Sequence, residues 1–242
     1  MLKIVPFIAL LTLIFTDCAV VSGQVETFTK LPPEGKVFAV KQFNAINVSE
    51  GVFNIFLRQC DSDGVLIKGD LPNHLTLLND GETLLIKDTL SIRNTHKDKN
   101  ETDIYISLKS VSSIEIDAVG KTLCLDTLKA KRVSFSSTGV GATTLWLHVD
   151  SIRISESGVG NIVLAGRSSY AEINATGVGN LDALGLKAGE LHLNASGVGD
   201  VKVYAIKNIY LNSTGVGKVE YEGPARLIEN NNTGIGRVKK IK

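Results

Sequence analysis

The sequence predicts an all-β protein: a β-helix in which one chain winds into a parallel β-solenoid of about seven coils, with an N-terminal β-strand region covering one end. Three observations support this prediction. A Gly-Val-Gly or Gly-Ile-Gly motif recurs six times in the second half of the chain, at steps of 18 to 20 residues. Residues beside the motif align in apolar and polar columns, and the first half alternates apolar with other residues in short runs. The first glycines of the motifs are Gly139, Gly158, Gly177, Gly197, Gly215 and Gly234.

The N-terminus predicts a signal peptide over residues 1–23. Lys3 precedes an apolar run from Ile4 to Phe15, and small residues follow up to Gly23. A run of about a dozen residues is short of the roughly 20 that a membrane-spanning helix needs, so no transmembrane span is expected in the mature chain. Cys18 leaves three alternatives open: lipidation, loss with the signal peptide, or an uncleaved N-terminal anchor. The polar residues 24–36 predict a linker.

Residues 37–242 are predicted to form one domain, whose first part, 37–110, is an N-terminal β region. Phe53, Ile55 and Leu57 recur at every second position, as in a strand with one buried face. Further strands are expected after an Asp-Ser-Asp-Gly turn and an Asn-Asp-Gly turn. The polar residues 94–102 predict an exposed loop.

The second part, 111–242, contains the repeat coils, and the first coil is degenerate because Ala118 replaces the first glycine. Apolar residues stand six and four positions before the first glycines and predict the buried face of a strand in each coil. The first column contains Val133, Ile152, Ala171, Leu191, Ile209 and Ile228, and the second contains Phe135, Ile154, Ile173, Leu193 and Leu211. Similar columns at a fixed period indicate that each coil stacks on the coil before it.

Two polar columns beside the motif predict hydrogen-bonded ladders along the stack. One contains Ser136, Ser155, Asn174, Asn194, Asn212 and Asn231, and the other contains Thr138, Ser157, Thr176, Ser196, Thr214 and Thr233. The central valine of each motif is expected to point inward, between glycines that allow a sharp turn. At the C-terminal end, Arg237, Lys239, Lys240, Lys242 and Asn230 predict a polar cap.

Composition and spacing argue against several functions. With 26 basic and 25 acidic residues, the chain lacks the basic surface that nucleic acid requires. The glycine motifs lack the third glycine of a dinucleotide site and the Gly-Lys-Ser/Thr of a phosphate-binding loop. His74, His96, His148 and His192 are too scattered for a metal cluster. We therefore expect no catalytic residues, no cofactor and no metal.

One outward column is the candidate ligand surface. Between the two buried columns, Arg153, Glu172, His192 and Tyr210 would form a ladder of charged and aromatic side chains that could contact a cell-surface glycan or an envelope protein. Trp146 follows an inward leucine and is expected to be exposed, where it could also bind a sugar or a partner. The alternative is an ordinary solvated strand face without a ligand.

Cys60 and Cys124 would remain in the mature chain. They could pair in an oxidising compartment. However, Cys124 falls in the column of Leu145 and Leu164, which favours a small buried side chain.

The order of motifs resembles one bacterial family. Phe-Asn-Ala-Ile-Asn-Val at 43–48, Val-Leu-Ile-Lys-Gly-Asp at 65–70, Asp80-Gly81 with Leu-Leu-Ile at 84–86, and then the Ser/Thr-Gly-x-Gly series are similar to the family called putative auto-transporter adhesin, head GIN domain. The resemblance covers about residues 37–238 and implies an exported β-solenoid of unknown activity. The sequence departs from the family in preferring valine between the glycines, and in lacking small residues directly before Cys18.

Three functions are therefore considered. The first is an exported, non-enzymatic protein, periplasmic, outer-membrane-associated or secreted, whose rigid solenoid presents an adhesive or ligand-binding surface. The second is a polysaccharide-acting β-helix enzyme, because that architecture also hosts pectin-type lyases and hydrolases, although the turns are short and uniform. The third is a scaffold of the cell envelope that associates with itself as a homo-oligomer.

Overall fold

The computed structural model describes residues 35–69, 74–88 and 102–241, and their regular secondary structure is β throughout. The predicted signal peptide with Cys18, most of the linker, residues 94–101 of the predicted loop and Lys242 lie outside the described residues. The strands are β1 (Lys36–Phe38), β2 (Ala45–Gln59), β3 (Gly64–Lys68), β4 (Leu75–Asn79), β5 (Thr83–Asp88), β6 (Thr102–Leu108), β7 (Ser113–Val119), β8 (Thr122–Cys124), β9 (Leu128–Ser137), β10 (Thr143–Glu156), β11 (Ile162–Ala175), β12 (Leu181–Ala195), β13 (Val201–Ser213), β14 (Val219–Glu222), β15 (Arg226–Asn232) and β16 (Val238–Lys240).

Parallel pairing between successive strands builds the solenoid. Each strand from β9 to β13 pairs with the next, one coil later along the chain. Ile152 pairs with Val133 on one side and with Ala171 on the other, as the repeat predicts. Both predicted inward columns are buried from β9 to β13 and form one continuous core along the stack. Since burying an aliphatic side chain contributes about 1.5–3 kcal/mol, these columns are the main stabilising feature of the coils. The predicted solenoid is confirmed.

Each coil has two sheet faces that meet at a corner. In β10, buried and exposed residues alternate over 143–149 and again over 152–154, but Asp150 and Ser151 are consecutive residues that are not buried. The break in the period of two marks the corner. We call the face that contains 143–149 the long face, and the face that contains 152–156 the short face. A Gly-Val-Gly turn then closes the coil.

The N-terminal strands cover the first coil, as predicted. β2 lies parallel to β7 and β8 and also pairs with β5 and β6. β3 is antiparallel to β6, and β1 is antiparallel to β3. β4 and β5 form an antiparallel hairpin across the Asn-Asp-Gly turn. In that turn, Asp80 Oδ1 accepts hydrogen bonds from the backbone N–H groups of Glu82 and Thr83.

The last coil departs from the predicted buried column at Ile228. The pairing of β15 with β13 shifts register, so that Leu227 lies opposite Ile209 and Glu229 lies opposite Tyr210. Ile228 is the extra residue and is 44% exposed, so its predicted burial is wrong. Most of β15 is exposed, including Asn230, which agrees with a polar cap at this end.

The central residues of the Gly-Val-Gly motifs point outward, so the prediction that they point inward is wrong. Val178 is 51% exposed, and its equivalents in the other coils are similar or more exposed. The alternation of inward and outward residues runs unbroken through the turn. Because Ile173 and Leu181 are buried, the inward positions between them fall on Ala175 and on the two glycines, and the valine faces solvent.

Glycine occupies these inward positions because successive coils approach too closely for a side chain. Gly179 has a φ of +145°, and a Cβ at this residue would overlap the carbonyl oxygen of Gly160 in the preceding coil. Gly217 meets the carbonyl oxygen of Gly199 in the same way. The motif is therefore a structural corner, and its glycines are explained by backbone packing.

The predicted asparagine column forms a hydrogen-bonded ladder. Asn194 Nδ2 donates to Asn174 Oδ1 at 2.8 Å, and Asn212 Nδ2 donates to Asn194 Oδ1 at 3.2 Å. These residues are paired across β11, β12 and β13. The ladder adds side-chain hydrogen bonds to the backbone pairing that holds the coils in register.

A second polar ladder, which was not predicted, lies just after the motif. Asn161 Oδ1 accepts from the backbone N–H of Asn180, Asn180 Oδ1 accepts from that of Asp200, and Asp200 Oδ1 accepts from that of Lys218, each at 2.9 Å. Each side chain thus satisfies a backbone donor of the next coil at the end of the turn.

Candidate functional site

The structure brings the four predicted ladder residues together on the short face. Arg153 lies opposite Glu172, Glu172 lies opposite His192, and His192 lies opposite Tyr210, in four successive strands from β10 to β13. Their side chains face away from the core because the residues on either side of each are buried. Parallel strand pairing therefore fixes all four side chains on a regular backbone.

Arg153 and Glu172 form an ion pair across two coils. Arg153 Nε and Nη2 both donate to Glu172 Oε2, at 3.1 and 2.9 Å. Asn174 Nδ2 donates to the other carboxylate oxygen at 3.4 Å. The hydrogen bond from the Arg153 guanidinium is the main cause that lowers the pKa of Glu172 below its ordinary value. Glu172 is consequently a carboxylate at neutral pH.

His192 lies between two tyrosine rings. Its ring stacks on that of Tyr210, with centroids 4.2 Å apart and planes 11° from parallel. On its other side, the ring of Tyr170 is tilted by 39°, with a centroid distance of 5.3 Å. Offset aromatic contacts at these distances stabilise the arrangement of the rings. The three rings form a half-exposed row across β11, β12 and β13.

Glu190 is the second carboxylate of this surface. Its Oε1 lies 3.0 Å from His192 Nε2, and its Oε2 accepts a hydrogen bond from Asn208 Nδ2 at 3.2 Å. The hydrogen bond that Glu190 accepts from His192 is the main cause that lowers the pKa of Glu190. Burial and the nearby carboxylates of Glu172 and Glu190 raise the pKa of Tyr170, so its hydroxyl group stays protonated at neutral pH.

Tyr170 and Glu190 were missed because they belong to another column of the repeat. Both lie two residues before a ladder position, at the corner between the two faces. A side chain there can lean over the neighbouring column, so a search of adjacent columns for aromatic and acidic residues would have found them. We define the polar-aromatic ladder as Arg153, Tyr170, Glu172, Glu190, His192 and Tyr210.

Trp146 lies away from the polar-aromatic ladder. It is 36% exposed, and Leu145 beside it is fully buried, as the alternation predicts. Trp146 pairs with Ala165 on the long face, whereas Arg153 lies beyond the corner on the short face. The two predicted parts of the ligand surface therefore do not form one site.

Neither of the two cysteines that the structure describes takes part in a disulfide bond. Cys60 and Cys124 are both free thiols, and Cys124 is buried in the column of Leu145, as predicted. Burial raises the pKa of Cys124 to about 12. A thiol with this pKa stays protonated and unreactive near neutral pH.

The described part of the chain has small cavities at the glycine turns. Two small cavities lie beneath the glycine turns, each with room for about 20 Å³, which is enough for a single water molecule. Within the described ranges, no group of three His, Cys, Asp or Glu residues is placed to hold a metal ion. In the part of the chain that the structure describes, there is no helix long and apolar enough to cross a membrane.

The fold and the ladder together define the class of protein: a β-solenoid that presents side chains on a rigid strand face. The chain belongs to the family described as putative auto-transporter adhesin, head GIN domain, whose model matches residues 42–225. No curated protein matches the chain.

Solved structures share the fold over most of the chain. A putative adhesin from Bacteroides fragilis is 25% identical, with a TM-score of 0.78, and the match covers 86% of this chain and 96% of that one. Two proteins from Parabacteroides distasonis match with the same coverage. One is described as a putative adhesin, at 19% identity and a TM-score of 0.63, and the other as a putative lipid binding protein, at 18% and 0.65. These structures confirm the predicted architecture.

Proposed function

We propose that this protein is an exported, non-enzymatic adhesin that binds a cell-surface glycan through the polar-aromatic ladder. The observation that carries the proposal is the row of Tyr170, His192 and Tyr210, which stands beside the carboxylates of Glu172 and Glu190. Aromatic rings and carboxylate groups are thereby half-exposed together on one strand face.

The chemistry of this surface matches that of a sugar. A pyranose has an apolar face of C–H groups, which packs on an aromatic ring, and a rim of hydroxyl donors. When they are ionised, Glu172 and Glu190 accept hydrogen bonds and donate none, and their lowered pKa values keep them ionised near neutral pH. A hydrogen bond from a hydroxyl group to an ionised acceptor is stronger than one between neutral groups.

The strand positions also favour binding at low entropic cost. The ladder residues are held by parallel pairing over several coils, and Arg153, His192 and Glu190 are already fixed by hydrogen bonds. A preordered surface loses little conformational freedom when a ligand binds. A linear glycan could lie along the stack and contact several coils at once.

Two further points support a non-enzymatic role. A glycoside hydrolase pairs an ionised carboxylate with a carboxylic acid of raised pKa. In the ladder, the pKa values of Glu172 and Glu190 are both lowered. In addition, the family is named for adhesion, and the predicted signal peptide agrees with a location outside the cytoplasm.

A glycan array tests the proposal directly. The full chain, labelled with a fluorophore, is expected to bind a subset of surface glycans, and a Tyr210→Ala, His192→Ala double variant is expected to lose this binding. Absence of binding to every glycan of a broad array, or equal binding by the double variant, would contradict the proposal. Reducing sugars released from the bound polysaccharide would instead identify an enzyme.

A further inference from the structure

The outward residues of the glycine turns form a continuous apolar ridge. They are paired from coil to coil by a series of parallel bridges that begins at Val119 and ends at Ile235, and Val52 of β2 extends the series by pairing with Val119. The valine ridge consists of Val52, Val119, Val140, Val159, Val178, Val198, Val216 and Ile235. Its members are between 44% and 76% exposed, so the ridge faces solvent along the whole stack.

Grooves without side chains accompany the ridge. From Val140 onward, each residue of the ridge has a glycine on either side, so a glycine column runs along both of its flanks. Beyond one glycine column lies the exposed Ser/Thr column, which includes Thr176 and Thr214. The ridge, the grooves and this hydroxyl column carry no charge. Charged residues occur in the column beyond the other groove, at Lys121, Asp200, Lys218 and Arg237.

The apolar area of the ridge follows from the exposure of its side chains. Dividing the burial energy of a whole aliphatic side chain, about 1.5–3 kcal/mol, by about 25 cal/mol per Å² gives its apolar area. A half-exposed valine therefore keeps on the order of 50 Å² in contact with water. Eight such side chains present roughly 400 Å², comparable to the largest apolar patch of a typical monomer, which is often a functional surface.

We propose that the valine ridge binds the valine ridge of a second copy of this chain. Two copies have the same coil spacing of about 4.8 Å, so their ridges can match along the full length. In stacked β-structures, identical columns of small apolar side chains interdigitate into dry interfaces between paired sheets. The glycine grooves leave room for the side chains of the partner. A ligand without this repeat would match only a few positions.

Sedimentation velocity over a range of concentrations tests the proposal. The full chain is expected to form dimers as its concentration rises. The triple variant Val140→Thr, Val178→Thr, Val216→Thr keeps the shape and the β-branching of each side chain and is expected to dimerise at least about tenfold more weakly, because a hydroxyl replaces a buried methyl group at each site. The control Val163→Thr, Ile206→Thr changes exposed apolar residues outside the ridge and is expected to dimerise like the unmodified chain.

The proposal is overturned if the unmodified chain stays monomeric up to its solubility limit, or if the ridge variant dimerises as strongly as the control. Circular dichroism and the denaturation midpoint check that both variants are folded. The outcome is separate from glycan binding, because the ridge and the polar-aromatic ladder share no residues. A monomeric ridge variant that still binds a glycan would support both proposals.

Discussion

The imidazole ring of His192 stacks on the phenol ring of Tyr210, one coil further along the solenoid, at a centroid distance of 4.2 Å. Parallel pairing of β12 with β13 places the two residues opposite each other, so the contact is set by the backbone register. Both rings stay half-exposed. The solenoid therefore holds aromatic and charged groups in register on a strand face without using a loop or a cleft.

The ion pair between Arg153 and Glu172 predicts a measurable pKa change. Replacing Arg153 by Gln is expected to raise the pKa of Glu172 toward its ordinary value of 4.5, because its main hydrogen-bond donor is lost. Since the folded-state pKa is lowered, the pair stabilises the fold above the ordinary carboxyl pKa, and this contribution disappears as the pH falls through the folded-state value. The loss of stability at neutral pH should be under about 1 kcal/mol, because the arginine is exposed.

Carbon-detected NMR titration of the Glu172 carboxyl group measures this change. Arg167→Gln is the matched control, because Arg167 is also exposed and contacts His148 on the long face instead. An unchanged pKa of Glu172 in Arg153→Gln would show that the ion pair does not form in solution.

Close packing of the turns predicts that Gly179 does not tolerate a side chain. Gly179→Ala is expected to lower the free energy of unfolding by about 3 kcal/mol or more, since its Cβ would overlap the carbonyl oxygen of Gly160. Gly81→Ala separates this effect from backbone strain, because Gly81 also has a positive φ but its Cβ would meet no atom within 4 Å. It should cost only about 1–2 kcal/mol. Equal losses in urea denaturation would contradict the close approach of the coils.

The ladder beyond the turn predicts a specific role for Asn180. Asn180→Ala removes the acceptor for the backbone N–H of Asp200 and is expected to cost about 1 kcal/mol. Asn180→Asp keeps an acceptor oxygen and should be close to the unmodified protein, since Asp200 plays the same role toward Lys218. Thermal unfolding measures both variants. If alanine and aspartate had the same effect, the hydrogen bond would not be the cause.

Burial predicts different reactivity for the two described cysteines. Cys124 is buried, with a pKa of about 12, whereas Cys60 is partly exposed. Iodoacetamide at pH 8 should therefore alkylate Cys60 in the folded protein and leave Cys124 unmodified until denaturant is added. Mass spectrometry of the peptides measures the two sites. Rapid alkylation of Cys124 without denaturant would show that the core at β8 opens readily.

Much of the fold could be predicted because two periods coincide in the sequence. Ile154 and Ile173 each belong to a strand in which every second residue is apolar, and they also recur at the coil period. The first period predicts their burial, and the second predicts that they pair with each other. Ile228 satisfies the same pattern but is exposed, because the strand pairing shifts register at the end of the stack. The sequence pattern does not show this shift. The outward column of Arg153 and Tyr210 was predictable for the same reason as the core.

The valine ridge could not be predicted from the apolar character of valine. Counting by two from Ile173 to Leu181 assigns the inward positions to Ala175 and two glycines, so the alternation itself places Val178 outside. The hydrophobicity of valine suggested the opposite. Packing decides the outcome, because the space inside the turn is filled by the backbone of the preceding coil. The contact between Tyr170 and His192 was not predicted, because it crosses a corner and depends on the direction of the tyrosine side chain.

Glycan affinity of two tyrosine variants tests the central claim most directly. Tyr210 lies in the polar-aromatic ladder, whereas Tyr204 of the same strand lies on the long face, beneath the ammonium group of Lys187. Isothermal titration with a glycan selected on the array should show binding to Tyr210→Ala weakened at least about tenfold, which corresponds to about 1.4 kcal/mol, and unchanged binding to Tyr204→Ala. Unchanged affinity of Tyr210→Ala, or an equal loss in Tyr204→Ala, would contradict recognition by the ladder.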